Sequence, residues 1–275
     1  MKKLSVFVLL FVSFNIYAID VLFNEYCILY NDLVNFDTFG YKSSWDINNN
    51  KGSDVINLSQ GALTRYGFDT SFAILKEGFF KIKLENDIIG YTRYGDFHIG
   101  FGDSESEFTL KTGRYGYKLY DPVIIPNGTV NLKLEINTLY AILFDDTKVK
   151  VGELNVYEID EKMLIRYKDS IFITSNNYDS KIIKDSRIQI GFVEMSNVDV
   201  VGTLIRMYII LCELKNNGYN YDTKAQIILM LINNIPILNE LSMVKMKLSN
   251  DQQQGQIMLV DFGGYNLLKN NLNFY

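Results

Sequence analysis

The stretch Thr64–Leu75, TRYGFDTSFAIL, places Thr64, Tyr66, Phe68, Thr70, Phe72 and Ile74 on one side of an extended chain. Arg65, Gly67, Asp69, Ser71, Ala73 and Leu75 fall on the other. Side chains alternate across a strand with period two, so the pattern predicts a strand with one aromatic face and one small or charged face. The period returns downstream. Phe80, Ile82 and Leu84 alternate with Lys81, Lys83 and Glu85; Phe97, Ile99 and Phe101 with Asp96, His98 and Gly100; Val130, Leu132, Leu134 and Ile136 with Asn131, Lys133 and Glu135. Further strand candidates cover 108–120, 148–159, 162–174 and 187–195. Each is followed by a short turn or polar loop, with no helix between, which is the order of a meander. At roughly ten residues per tilted spanning strand, the length suits about 10–14 strands. The expected fold is therefore all-β, an antiparallel up-and-down β-barrel formed by a single domain over 19–275.

The two ends carry separate signals. Lys2 and Lys3, the uncharged run from Leu4 to Phe14, and Ala18 before Ile19 and Asp20 have the order of a secretory signal peptide over 1–18. The run is too short for a membrane-spanning helix, which needs about 20 apolar residues. Between Val200 and Leu248 the period is ambiguous. Val200, Val201, Leu204, Ile205, Tyr208, Ile209, Leu211 and Cys212 form a helical stripe, and Gly218 would cap its end. Asp222 or Thr223 would open a second helix that stops before Pro236. The same residues are rich in β-branched side chains, and strands are the preferred expectation there. The alternative is a soluble β-rich domain with a helical hairpin over 200–234.

Composition narrows the function classes. The formal charge of −5 becomes about −7 once Lys2 and Lys3 are removed, which argues against nucleic acid as a partner. With His98 the only histidine and two cysteines, Cys27 and Cys212, no structural zinc site is expected. Those cysteines are far apart in sequence, and spacing leaves their pairing open. No cofactor motif and no nucleophile elbow is present, so the chain is not expected to be an enzyme. Asp96 and His98 share a strand face, and the acidic run Asp103–Glu107 lacks the spacing of a calcium loop. Solvated polar positions account for both.

The segment FTLKTGRYGYKLYDP, Phe108–Pro122, resembles the stretch of Gram-negative porins in which a strand bearing a Gly-Arg pair precedes the inward-folded loop. Gly113, Arg114, Leu119, Tyr120 and Asp121 carry that likeness, while Tyr115 stands where porins commonly have Gln. The resemblance implies a lumen-facing Arg114. The final Phe274 and Tyr275 resemble the aromatic ending that barrel-assembly machinery reads, although Asn273, Asn271 and Lys269 break the usual apolar alternation before it. The expectation is an outer-membrane barrel in contact with lipid and assembly machinery, acting as a passive channel for small solutes or as a surface structural protein. Arg65, Asp69, Lys81, Lys83 and Arg114 are its lumen-facing candidates. The alternative is a periplasmic or secreted binding module.

Overall fold

Alternation becomes strand wherever turn residues allow it. The computed structural model describes residues 21–45, 55–104, 107–174, 178–184 and 186–218. The signal peptide over 1–18, the start at Ile19, the second helix after Thr223, and Phe274 with Tyr275 lie outside the described residues. These residues fall into two compact units. One contains 21–34, 44–45 and 199–218, and the other contains 35–43 and 55–198.

The larger unit is antiparallel β throughout. Among the described residues its main sheet has ten strands. Phe79–Lys83 is central, pairing with Ile89–Thr92 (Phe80 opposite Thr92, Ile82 opposite Gly90), with Lys118–Leu119 and with Val156–Glu158. The sheet continues through Ile171–Thr174 to Leu164–Lys168 on one side, and through Phe108–Thr112 to Ile124–Ile125 on the other. Thr129–Glu135, Thr138–Leu143 and Lys148–Glu153 form a separate three-stranded meander. Two further pairs join Phe72–Ile74 to Ile188–Ile190 and Leu63–Arg65 to Phe192–Glu194. None of these sheets closes on itself among the described residues, so the fold is antiparallel β with free edges plus two helices.

Alternation placed the core well in some strands. Phe80, Ile82 and Leu84 are all buried, and Phe80 meets Phe97 edge to face at 5.5 Å between ring centroids. Elsewhere the expected strands are interrupted. The 64–75 stretch is two strands, because Gly67 turns the chain at φ +87°, and the 187–195 stretch is broken in the same way by Gly191 at φ +77°. A side-chain-bearing residue rarely adopts such a φ, so both positions favour glycine. The 108–120 stretch is likewise split by a turn at 113–116. The longest described strand, Thr129–Glu135, has seven residues.

The smaller unit corrects the preference for strands after Val200. Val200–Asn216 is an α-helix, α2, whose N-terminus is capped by the Asp199 carboxylate accepting from the Gly202 amide at 3.1 Å. Gly218 follows in the left-handed conformation at φ +92° and donates its amide to the Lys215 carbonyl, as the sequence indicated. Burial outweighs β-branching here. Leu204, Ile205, Met207, Tyr208, Ile210, Leu211 and Leu214 are all buried, together with Leu29 of an N-terminal helix over 21–34, α1. That first helix has no counterpart in the strand-based reading of the sequence.

Candidate assembly surface and buried charge cluster

α1 carries two apolar stripes at adjacent angles. Leu22, Tyr26, Leu29 and Leu33 follow i, i+4, i+7, i+11 spacing and pack into the cluster built by α2. Glu25 and Arg206 form an ion pair beside that cluster. One position further along, Phe23, Cys27, Tyr30 and Val34 repeat the same spacing, and all four are exposed. Phe23 is 50%, Tyr30 56% and Val34 58% accessible, so the second stripe is bare where the first is filled. Four positions in this register match the seam by which helices pack along one another. No disulfide joins Cys27 to Cys212.

The β unit contains a second unusual feature, a buried charge cluster. Glu194, at the end of Phe192–Glu194, is fully buried, with Lys42 and Arg93 1% and 4% exposed beside it. One carboxylate oxygen accepts from Lys42 Nζ at 2.5 Å and from the Gly61 amide at 2.9 Å. The other accepts from Arg93 Nε at 2.7 Å. Lys42 also donates to the Ser59 carbonyl, and Arg93 to the carbonyls of Ile74, Lys76 and Gly78. Burial pulls the Lys42 ammonium below its ordinary value, and the contact with Glu194 opposes that pull. Two cations therefore share one anion in the interior. Isolated buried charges are costly, so this arrangement depends on Glu194.

The five residues expected to face a lumen do not form one lining. Arg65 is exposed at the end of Leu63–Arg65. Asp69 lies on the loop that follows, and both border a shallow groove with Phe68, Leu132 and Phe192. Asp69 accepts from the Leu132 amide at 2.8 Å, capping an edge strand of the three-stranded sheet. Lys81 and Lys83 share Phe79–Lys83, where Lys81 sits 4.0 Å over the Tyr120 ring and Lys83 pairs with Asp87 at 2.7 Å. Arg114 lies in the 113–116 turn, donates to Thr38 Oγ1 at 2.9 Å and stands 3.8 Å from Asp169. Asp69→Ala would leave the buried Leu132 amide without an acceptor. A stability loss of about 1–3 kcal/mol in urea denaturation is expected, with Asp69→Asn losing less.

Around Arg114 lies a group of coupled tyrosines and carboxylates. Tyr115 donates its hydroxyl to Asp169 at 2.6 Å. Burial, then the neighbouring Asp96, raises Tyr94 to about 12. Burial also pushes the Asp96 carboxyl up, against the Tyr94 hydroxyl and His98, which act in the opposite sense. His98 is exposed. The Tyr94 shift has a pH consequence. Its folded value lies above the ordinary 10, so the unfolded chain releases that proton first. Stability contributed by Tyr94 is thus complete below pH 10 and lost as pH rises through about 12. Tyr94→Phe should flatten this alkaline decline in thermal unfolding measured across that window.

Among the described residues no group of three metal-ligating side chains is found, and no helix is long and apolar enough to cross a membrane. No protein-family model matches the sequence. The flagellar basal-body rod protein FlgG of Buchnera aphidicola subsp. Schizaphis graminum is 23% identical over 158 residues. The match covers 54% of this chain and 58% of that protein, so the chain spans little more than half the length of the relative it resembles.

Proposed function

We propose that the protein is a non-catalytic structural subunit of an exported assembly, associating with further copies through the bare stripe on α1. The observation that carries this reading is the duplicated register of α1, with one stripe filled by α2 and an equivalent one, Phe23, Cys27, Tyr30 and Val34, left in water. A contiguous exposed apolar strip costs a monomer solubility and becomes favourable once covered. The 23% likeness over part of the chain to a protein named for the flagellar basal-body rod is in keeping with the same reading. The charge–apolar–small order of 1–18 supports export. Sedimentation velocity of the protein without 1–18, in detergent-free buffer, tests it. Mass should rise with concentration, and a monomer at every concentration would contradict the proposal.

An outer-membrane channel is the second reading. It is favoured by the apolar side chains that strands expose: Ile99 and Phe101 on Phe97–Phe101, Ile165 and Tyr167 on Leu164–Lys168. In that reading lipid covers them. Such a barrel requires detergent to stay dispersed and changes gel mobility on boiling. The assembling subunit does neither.

A further inference from the structure

We infer that Glu194 is the bolt of a detachable strap, residues 192–197, which docks last and closes the β unit. The strap joins three chain segments that are remote in sequence. Its Glu194 carboxylate takes Lys42, Gly61 and Arg93, across separations of 152, 133 and 101 residues. Its backbone accepts from the Gly40 amide at 2.7 Å, and Met195 donates to the Ala62 carbonyl at 2.8 Å. Asn197 accepts from the Ser43 amide at 2.6 Å and donates to the carbonyls of Asn57 and Ser59. The fit is close: a Cβ on Gly61 would lie 2.0 Å from the Met195 carbonyl oxygen.

Charge stoichiometry makes the closure all-or-none. Before the strap arrives, Lys42 and Arg93 would be two cations with no anion among their cluster partners, and burying them is unfavourable. The entry segment 40–43 therefore stays open until Glu194 neutralises it. Among the described residues Leu63–Arg65 pairs with no strand other than Phe192–Glu194, so it too stays unpaired until then. Contacts of this sequence separation are slow to form, because loop closure must come first. The rest of the unit does not share this dependence. Phe80, Ile82, Leu110 and Leu139 pack in a cluster that contains none of the strap residues. A chain built this way keeps 40–43, 61–65 and 192–197 open together and closes them together.

Amide hydrogen exchange on the full chain, comparing wild type with Glu194→Gln, reads this directly. The amides of Gly40, Ser43, Gly61 and Met195 should lose protection together, exchanging about tenfold faster or more. Those of Ile82 and Leu110 should keep wild-type protection. Asn197→Ala removes the side chain that bridges Ser43, Asn57 and Ser59, and it should produce the same pattern more weakly if Glu194→Gln does not fold. Uniform loss across strap and core would overturn the inference, as would unchanged protection at the strap.

Discussion

Glu194→Ala is expected to lower the unfolding free energy by about 3–5 kcal/mol, as breaking a buried pair from one side generally does. The substitution leaves Lys42 and Arg93 buried with no counter-ion, and it strips the Gly61 amide of its acceptor. Lys42→Met should behave differently. It removes the surplus cation and leaves Glu194 paired one-to-one with Arg93, so a cost below about 2 kcal/mol is expected, from the lost hydrogen bonds to the Glu194 carboxylate and the Ser59 carbonyl. The asymmetry between the two substitutions is the signature of an interior with two cations and one anion. Urea denaturation of both variants measures it, and equal costs would mean that the cluster is not limited by its single carboxylate.

The second large effect is expected at the α1 stripe. Fully covering an exposed large apolar side chain is worth about 1.5–3 kcal/mol, and Phe23 and Tyr30 are each about half exposed, so Phe23→Ser with Tyr30→Glu should weaken self-association by roughly 1.5–3 kcal/mol, or one to two powers of ten. The substitutions leave Leu22, Tyr26, Leu29 and Leu33 in place, so α1 keeps its packing against α2. Helical circular dichroism should be unchanged while sedimentation shifts to the monomer. Loss of helix in parallel would place the two residues in the fold and not on an assembly surface.

Period-two alternation was a good guide to the buried face of Phe79–Lys83 and to Leu132, while Val130, Ile136, Ile99 and Phe101, expected on apolar faces, are exposed. It failed where backbone conformation, not side-chain pattern, decided the outcome. Gly67 and Gly191 sit inside alternating runs, and only their positive φ reveals that each run is two strands joined at a corner. In α2, Val200, Val201, Ile205, Ile209 and Ile210 favour strands locally, whereas the Asp199 cap and burial with Leu29 favour helix, and the latter prevail. The signal for α1 was present in the 3.6-residue spacing of Leu22, Tyr26, Leu29 and Leu33. The signal-peptide pattern just before it is the stronger local feature. The charge cluster had no linear signal: Lys42, Arg93 and Glu194 each look like a surface charge until the fold brings them together. Of the lumen candidates, Asp69 shows how alternation can point to a polar position while leaving its task unknown, since the carboxylate caps the Leu132 amide.

Site-specific photo-crosslinking from position 30 tests the central claim most directly. A benzophenone amino acid replaces Tyr30, which is 56% exposed on the bare stripe, in the full-length chain expressed with 1–18 intact. Illumination should give a ladder of covalent multimers of this one chain, with peptides from the helical unit of a second copy attached at position 30. Crosslinks to lipid alone, or only within a single chain, would contradict self-assembly through α1.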